Sequence, residues 1–206
     1  VPVCMDKSAW MVVAILGVLA AGGAYVPLDP AHPASRHEET IADVGAKFVI
    51  CLPKYTSRYS SKVETVLAID RSVFDSMKMS SKRPLNRSAS TNMAYALFTS
   101  GSTGKPKGIV TSVSAFGPVV HLDRGTRAFH FASLTFDAAV MEIWGTLIFG
   151  GCVCIPSEEE RLNDVAGAMN AMGIHWTFCT PSVASIIEPS SVPSLKTLVC
   201  GGEMIS

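Results

Sequence analysis

Residues 8–28 read SAWMVVAILGVLAAGGAYVPL, and this stretch decides the class of fold. Ser8 is a typical N-cap and the Gly22-Gly23 pair a typical C-terminal stop, so we predict a buried helix over 9–21. An apolar strand from Ala24 to Leu28 follows at once. A buried helix that passes through a glycine turn into a buried strand is typical of a parallel α/β sheet.

The uncharged run from Trp10 to Val26 also has to be tested as a membrane span or signal peptide. It holds about 17 residues, the lower limit for a span, and Gly17 and the Gly22-Gly23 pair interrupt it. We therefore expect a buried helix and no membrane contact. Lys plus Arg and Asp plus Glu both number 17, so no broad basic surface is available for nucleic acid. Any phosphate binding must be local.

Helix and strand alternate along most of the chain. A charged helix opens at Pro30 and Pro33, and a strand follows over 47–52; residues 53–93 are expected to form a surface connection in which only 63–69 is strand-like. Further strands are predicted over 94–98, 127–132, 152–155, 175–179 and 195–200, and helices over 139–149, 164–172 and 181–187, the last with Thr180 as its N-cap. The pattern predicts an α/β fold with largely parallel sheets and helices on both faces.

The composition is globular but poor in charge. Of the 206 residues, 48% are hydrophobic and 17% charged, which predicts apolar surface that needs covering. The six cysteines form no C-x-x-C pair and five of them stand in apolar runs. We expect buried, reduced thiols of a cytoplasmic protein and no metal site.

The strongest local signal is the stretch LFTSGSTGKPKG at residues 97–108. Its glycines let the backbone approach phosphate oxygens, four hydroxyls can donate hydrogen bonds, and two lysines neutralise charge. It is not a Walker loop, because Thr99 stands where glycine is needed and Pro106 where a hydroxyl would bind magnesium. A flexible Ser/Gly linker is the alternative, but a linker need not follow an apolar strand.

Asp137 is the most informative single residue. It follows Phe136 on an apolar segment, where burial of a carboxylate is costly unless a cation, such as the α-ammonium of a substrate, meets it. Alternatively it is the N-cap of the helix predicted over 139–149. The residues alone leave both interpretations open.

Four stretches carry a family resemblance. The loop at 97–108 resembles the signature phosphate loop of the adenylate-forming superfamily. Residues 19–30 are similar to the L-x-A-G-x-A-Y-V-P-h-D-P stretch of nonribosomal peptide synthetase adenylation domains, where h is apolar. Residues 136–139 resemble the F-D-x-S motif of these domains, and 198–203 their strand ending in G-G-E. The resemblance covers nearly the whole chain and implies part of the large N-terminal subdomain of an adenylate-forming enzyme.

That resemblance implies a reaction. An amino acid carboxylate would join the α-phosphorus of ATP, bound with Mg²⁺, and release pyrophosphate. The aminoacyl adenylate would then pass to the phosphopantetheine thiol of a carrier (thiolation) domain, with condensation domains as further partners. The implied phosphate-binding residues are Thr99, Ser100, Gly101, Ser102, Thr103, Gly104, Lys105 and Lys107, and the implied adenine-side residues are Gly201, Gly202 and Glu203.

The resemblance also implies a substrate pocket, formed by Asp137, Ala138, Met141, Phe178, Val199 and Gly201. This is an apolar slot, which implies an amino acid with an apolar side chain. Asp137 would meet its amine. By periodicity alone, Met141, Phe178 and Val199 are ordinary core residues. Glu142 is expected to support the fold.

The chain also departs from the family pattern. Ala139 replaces the usual serine, the segment between Gly108 and Phe136 is short, and residues 109–113 lack the usual histidine. Nothing resembles the N-x-Y-G-P-T-E motif or the C-terminal subdomain with its catalytic lysine. We therefore expect residues 1–206 to be a partial AMP-binding domain without a catalytic residue, inactive or very weak alone. An acyl-CoA or aryl-acid ligase, and a non-catalytic nucleotide-binding remnant, are the alternatives.

Overall fold

The computed structural model describes residues 1–77, 85, 87–89, 91–99, 107–109 and 121–204, with residues 99 and 107–109 as backbone only. The chain divides into two compact units, residues 1–111 and 112–206. Each contains a parallel four-stranded sheet flanked by helices. The predicted class, α/β with largely parallel sheets, is confirmed.

Unit 1 is built on a sheet of order β2-β1-β3-β4. Its strands are β1 (Pro2–Cys4), β2 (Val26–Pro27), β3 (Phe48–Cys51) and β4 (Thr65–Ala68). Its helices are α1 (Ala9–Ala20), α2 (Ala34–Asp43), α3 (Thr56–Tyr59) and α4 (Arg71–Ser76), with a 3-10 turn at Pro53–Tyr55. The expected surface connection over 53–93 is thus wrong in part, because it contains α3 and α4 as well as the predicted strand.

The caps predicted for α1 are present. The Ser8 hydroxyl accepts a hydrogen bond from the Met11 amide at 3.3 Å. Gly22 has a φ of +82° and a Cβ there would lie 2.8 Å from the Arg87 carbonyl oxygen. Only glycine fits this position without strain, so the Gly22-Gly23 pair ends the helix as the sequence predicts. No helix among the described residues is long and apolar enough to cross a membrane.

A two-stranded antiparallel hairpin follows in unit 1. It consists of β5 (Leu97–Thr99) and β6 (Lys107–Ile109), and Thr99 is the register partner of Lys107. Tyr25 pairs with the residues just before β5. Its amide donates a hydrogen bond to the Ala94 carbonyl at 3.0 Å, and its carbonyl accepts one from the Ala96 amide at 3.0 Å. β5 was predicted and β6 was not.

Unit 2 contains a second parallel sheet, of order β10-β9-β7-β8. Its strands are β7 (Arg127–Phe129), β8 (Cys152–Cys154), β9 (Trp176–Cys179) and β10 (Thr197–Cys200). Its helices are α5 (Asp137–Val140), α6 (Thr146–Ile148), α7 (Glu158–Asn163), α8 (Val165–Ala171) and α9 (Pro181–Ala184), with a π-helical segment at Met141–Gly145 and a 3-10 turn at Pro189–Ser191.

Three details in unit 2 differ from prediction. The helix expected over 139–149 begins at Asp137 and changes to π-helical geometry in its middle. α7 was missed, although Ser157 and Glu160 form a complete capping box at its start. α9 ends at Ala184 rather than at residue 187, and the side chain of its N-cap Thr180 caps no backbone amide.

The cysteines are all free, as expected, but not all buried. Cys4, Cys51, Cys154 and Cys179 are buried, whereas Cys152 and Cys200 are exposed. The prediction is wrong for these two, which lie on the edge strands β8 and β10 of the unit 2 sheet, although Cys154 at the other end of β8 is buried. Burial raises the pKa of the Cys154 thiol to about 11 and that of the Cys179 thiol to about 12.

Candidate functional site

The two ends of the candidate phosphate loop meet in the hairpin of unit 1. Thr99 is the last residue of β5 and Lys107 the first of β6, and the two are register partners. Residues 100–106, which include Ser100, Gly101, Ser102, Thr103, Gly104 and Lys105, lie outside the described residues. The antiparallel strands β5 and β6 therefore form a frame for this loop, because they fix the positions at which the loop begins and ends.

The Gly201-Gly202-Glu203 turn lies where the sequence predicted, at the carboxyl edge of the unit 2 sheet. The Gly201 amide donates to the Cys179 carbonyl at 3.3 Å, which continues the pairing of β10 with β9. Gly202 has a φ of +87°, in the left-handed region that favours glycine. The carboxyl ends of parallel strands are the usual ligand-binding edge of α/β sheets.

Glu203 is tied to the neighbouring helix. Its carboxylate accepts hydrogen bonds from the Ser182 hydroxyl at 2.5 Å and the Ser182 amide at 3.2 Å, at the start of α9. These hydrogen bonds lower the pKa of Glu203. Glu203 is exposed and stays anionic at neutral pH, so it can present a charged acceptor to a bound molecule while its anchoring serine holds it in place.

Four of the predicted pocket residues come together beside β9 and β10. Phe178 and Val199 are register partners, and both pack against a buried cluster that contains Met141. A Cβ on Gly201 would lie 3.1 Å from the Phe178 ring, so a side chain at position 201 would crowd that ring. Leu122, Ala128 and Trp176 complete the cluster. Phe178 and Val199 are half-buried, which leaves part of this apolar wall reachable from solvent.

Asp137 is exposed, which corrects the N-cap interpretation and the argument from burial, while its contact with a substrate ammonium stays a prediction. It is the first residue of α5, whose N-cap is Phe136, so Asp137 is not the N-cap. Its carboxylate is not buried either and needs no cation to offset burial. The helix starts early because a turn precedes it, in which the Phe136 amide donates to the Ser133 carbonyl at 3.0 Å. Asp137 and the half-buried Ala138 therefore open the helix that carries Met141.

Glu142 is fully buried and hydrogen-bonded, which confirms that it supports the fold. Its Oε2 lies 2.7 Å from His130 Nδ1, and both of its carboxylate oxygens accept from the Ala132 amide at 3.1 Å. Sequence reasoning missed His130. No sequence motif predicts a role for it, because the role of this histidine depends on its contact with a carboxylate that lies 12 residues further along the chain.

No group of three or more His, Cys, Asp or Glu side chains suited to a metal ion occurs in the part of the chain that the structure describes. The site residues within unit 2 form an apolar wall, an exposed carboxylate at Asp137 and a glycine turn with an anchored carboxylate.

Comparisons with known proteins agree with this geometry. The family model for AMP-binding enzymes matches residues 1–206, and the chain belongs to that family. Over all its length the chain is 59% identical to nonribosomal peptide synthetase 1 of Aspergillus fumigatus and 51% identical to nonribosomal peptide synthetase nlsA of Emericella nidulans. It spans only 3% and 4% of these relatives.

Two solved structures are similar throughout the chain. A crystal structure of the nonribosomal peptide synthetase FmoA3 matches with a TM-score of 0.78 and 25% identity, covering 100% of this chain and 23% of that one. The N-terminal subdomain of Klebsiella oxytoca NpsA matches with a TM-score of 0.81 and 19% identity, covering 100% of this chain and 55% of that one. The fold is that of the N-terminal subdomain of adenylate-forming enzymes.

Proposed function

We propose that this chain is part of an amino acid adenylation domain of a nonribosomal peptide synthetase. The observation that carries the proposal is the match of the whole chain to AMP-binding enzymes together with 59% identity to a fungal synthetase. The hairpin frame of the phosphate loop and the glycine turn at the sheet edge support it.

In the proposed reaction, a carboxylate oxygen of the amino acid attacks the α-phosphorus of ATP. The bond between the α-phosphorus and the bridging oxygen to the β-phosphorus breaks, and pyrophosphate leaves with the electron pair. Residues from Thr99 to Lys107 would hold the β- and γ-phosphates, with Mg²⁺ accompanying them as part of the substrate. Gly201, Gly202 and Glu203 would border the adenine. The contribution of these residues is positioning and charge neutralisation.

We infer that the substrate carries an amine and an apolar side chain. Asp137 is exposed at the start of the helix that carries Met141, so its carboxylate is free to meet an ammonium group. Met141, Phe178 and Val199 belong to one apolar cluster and include no charged partner for a charged side chain.

The boundaries of the domain are also part of the proposal. Residues 1–206 correspond to part of an N-terminal subdomain, since they span 55% of the NpsA subdomain. The lysine that completes catalysis would come from a C-terminal subdomain, so the 206 residues alone would have little or no activity. Carrier and condensation domains of the same cytoplasmic synthetase would be its partners.

The test is amino-acid-dependent exchange of labelled pyrophosphate into ATP. It should be run on the complete adenylation domain that contains these residues and on the 206-residue chain, each with twenty amino acids and a set of amine-free aryl and fatty acids. We expect exchange by the complete domain with an apolar amino acid and little by the shorter chain. Exchange with amine-free acids alone would replace the proposal with an aryl-acid or acyl-CoA ligase. ATP binding without acid-dependent exchange would indicate a nucleotide-binding remnant.

A pair of matched substitutions tests the role of Asp137. Asp137→Asn removes the charge at the start of α5, whereas Asp164→Asn makes the same change at the N-cap of α8, where asparagine caps as well as aspartate. We expect Asp137→Asn to raise the KM for the amino acid and Asp164→Asn to leave it unchanged. Equal changes in the KM for the amino acid in the two variants would show that Asp137 is not part of the substrate site.

A further inference from the structure

Glu142 and His130 form the one contact between a carboxylate and a histidine ring in which both side chains are fully buried, among the described residues of unit 2. Both side chains have 0% exposure, and Oε2 of Glu142 lies 2.7 Å from Nδ1 of His130. His130 directly follows β7, while Glu142 lies in the π-helical segment Met141–Gly145. The pair therefore joins the end of a central strand to the middle of the helix that begins at Asp137.

This polar pair lies in a fully buried part of unit 2. Every residue from Ala139 to Thr146 is buried, so the helix is enclosed on all sides at this level. Burying a carboxylate there costs free energy, and a buried carboxylate is found only where its oxygens accept hydrogen bonds. An apolar side chain would pack with no such cost, so stability alone does not explain a glutamate at this position.

The carboxylate also holds the connection between β7 and α5. Both of its oxygens accept from the Ala132 amide at 3.1 Å, shortly before the turn from Ser133 to Phe136 that starts the helix. This connection carries no regular secondary structure of its own, so these hydrogen bonds contribute to its path together with those within the turn from Ser133 to Phe136. Because the path fixes where the helix begins, it also fixes the position of Asp137.

Glu142 also acts on the apolar wall. Its neighbour Met141 is the first residue of the π-helical segment and packs into the cluster with Phe178 and Val199. A π-helical segment inserts an extra residue into a helix and changes which side chains face a given neighbour; such segments are frequent at functional sites. Because Met141 and Glu142 are neighbours in this segment, anchoring Glu142 fixes the rotation of the helix and with it the contact of Met141 with Phe178 and Val199.

We propose that Glu142, held by His130, is the positioning residue of the amino acid pocket and sets the places of Asp137 and Met141. It acts through these residues and does not contact the substrate. The proposal rests on the proposed function, since it names what aligns the pocket of that same site.

The test is Glu142→Gln in the complete adenylation domain, measured by pyrophosphate exchange. Glutamine keeps the length of the side chain and can accept from the Ala132 amide, but it cannot offer two anionic oxygens. We expect the KM for the amino acid to rise on the order of 10- to 100-fold, the scale of a small misplacement of positioning groups. The KM for ATP should stay within about twofold, because the phosphate loop lies outside unit 2 and Glu203, at the proposed adenine side, is anchored by Ser182 rather than by Glu142.

The matched control is Met169→Ala, which opens a second buried cluster among the described residues of unit 2, one that includes neither Asp137 nor Met141. If both variants lower the melting temperature but only Glu142→Gln raises the KM for the amino acid, the positioning role is supported. An unchanged KM in Glu142→Gln, or equal rises in both variants, would overturn it. Absence of exchange in the wild-type domain would instead count against the proposed function.

Two further measurements hold even if Glu142→Gln does not fold. His130→Ala keeps the carboxylate but removes the ring nitrogen that contacts it; we expect the same selective rise in KM, and an unchanged value would contradict the proposal. In the wild-type protein, the Ala132 amide should be protected from hydrogen exchange although it lies outside helix and strand. Rapid exchange of that amide would show that Glu142 does not hold the connection.

Discussion

Replacing Tyr59 with phenylalanine removes one hydroxyl from a buried network in unit 1. His37 Nε2 lies 2.8 Å from the Asp29 carbonyl oxygen, and His37 Nδ1 lies 2.8 Å from the Tyr59 hydroxyl. A carbonyl oxygen only accepts, so Nε2 carries the hydrogen and Nδ1 accepts from the tyrosine. His37 and Tyr59 are each 2% exposed, so no water replaces the lost donor.

The size of the effect follows from that geometry. Tyr59→Phe leaves a buried nitrogen acceptor unpaired, which costs about 1–3 kcal/mol of unfolding free energy. Tyr95 supplies a matched control, because it is 1% exposed and its hydroxyl has no hydrogen-bond partner among the described residues. Tyr95→Phe makes the same chemical change at the same depth and should cost less than about 0.5 kcal/mol.

The same network makes the stability of unit 1 depend on pH. Burial lowers the pKa of His37, whereas the pKa of a histidine in the unfolded chain is about 6.5. As the pH falls through that value, the unfolded chain takes up a proton that the folded chain does not, so wild-type stability decreases. In Tyr59→Phe, Nδ1 no longer receives a hydrogen bond and accepts a proton more readily. We expect the difference between wild type and variant to shrink from pH 7.5 to pH 5.5.

Native-state hydrogen exchange, followed by mass spectrometry on peptides from residues 1–77, isolates unit 1 from unit 2. Urea titration of each variant at the two pH values gives the unfolding free energies. Equal costs for Tyr59→Phe and Tyr95→Phe would refute the hydrogen-bond assignment. A difference that widens at pH 5.5 would refute the tautomer assigned to His37.

Three further predictions concern unit 2. Ellman's reagent should modify Cys152 and Cys200 in the folded chain and the four buried thiols only after denaturation; six fast thiols would contradict the burial pattern. Gly201→Ala places a methyl group 3.1 Å from the Phe178 ring and should lower the unfolding free energy by about 1 kcal/mol. It should also weaken the binding of an apolar aminoacyl adenylate analogue, measured by calorimetry. An unchanged affinity would show that Gly201 is not part of the pocket. Ser157→Ala removes the capping box of α7 and should cost about 1 kcal/mol, seen as faster amide exchange within 158–163.

Elements with local signals could be predicted from the sequence. α1 was predicted with its ends because Ser8 and Gly22 act on their own backbone neighbours, and the turn at Gly202 because only glycine accepts its φ without strain. β1 could not be predicted. It has three residues and includes Pro2, and it is a strand because β2 and β3 lie on either side of it.

The candidate site follows the same division. The position of the Gly201-Gly202-Glu203 turn was predicted because it depends on the strand just before it. The surroundings of Asp137 were predicted wrongly, since its exposure depends on where the preceding turn from Ser133 starts the helix. The contact of His130 with Glu142 depends on how β7 and the π-helical segment pack, and no sequence spacing encodes that packing.

The exposure of the site residues distinguishes those proposed to contact the ligand from the one proposed to position them. A group that meets a ligand must be reachable, and Asp137 is exposed while Phe178 and Val199 are half-buried. A group that holds others in place gains precision when water is excluded, since its hydrogen bonds then meet no competition, and Glu142 is fully buried. Substitutions should divide accordingly. Asp137→Asn should change ligand affinity without changing stability, whereas Glu142→Gln should change both, because the same hydrogen bonds fix the fold of the connection and the alignment of the pocket.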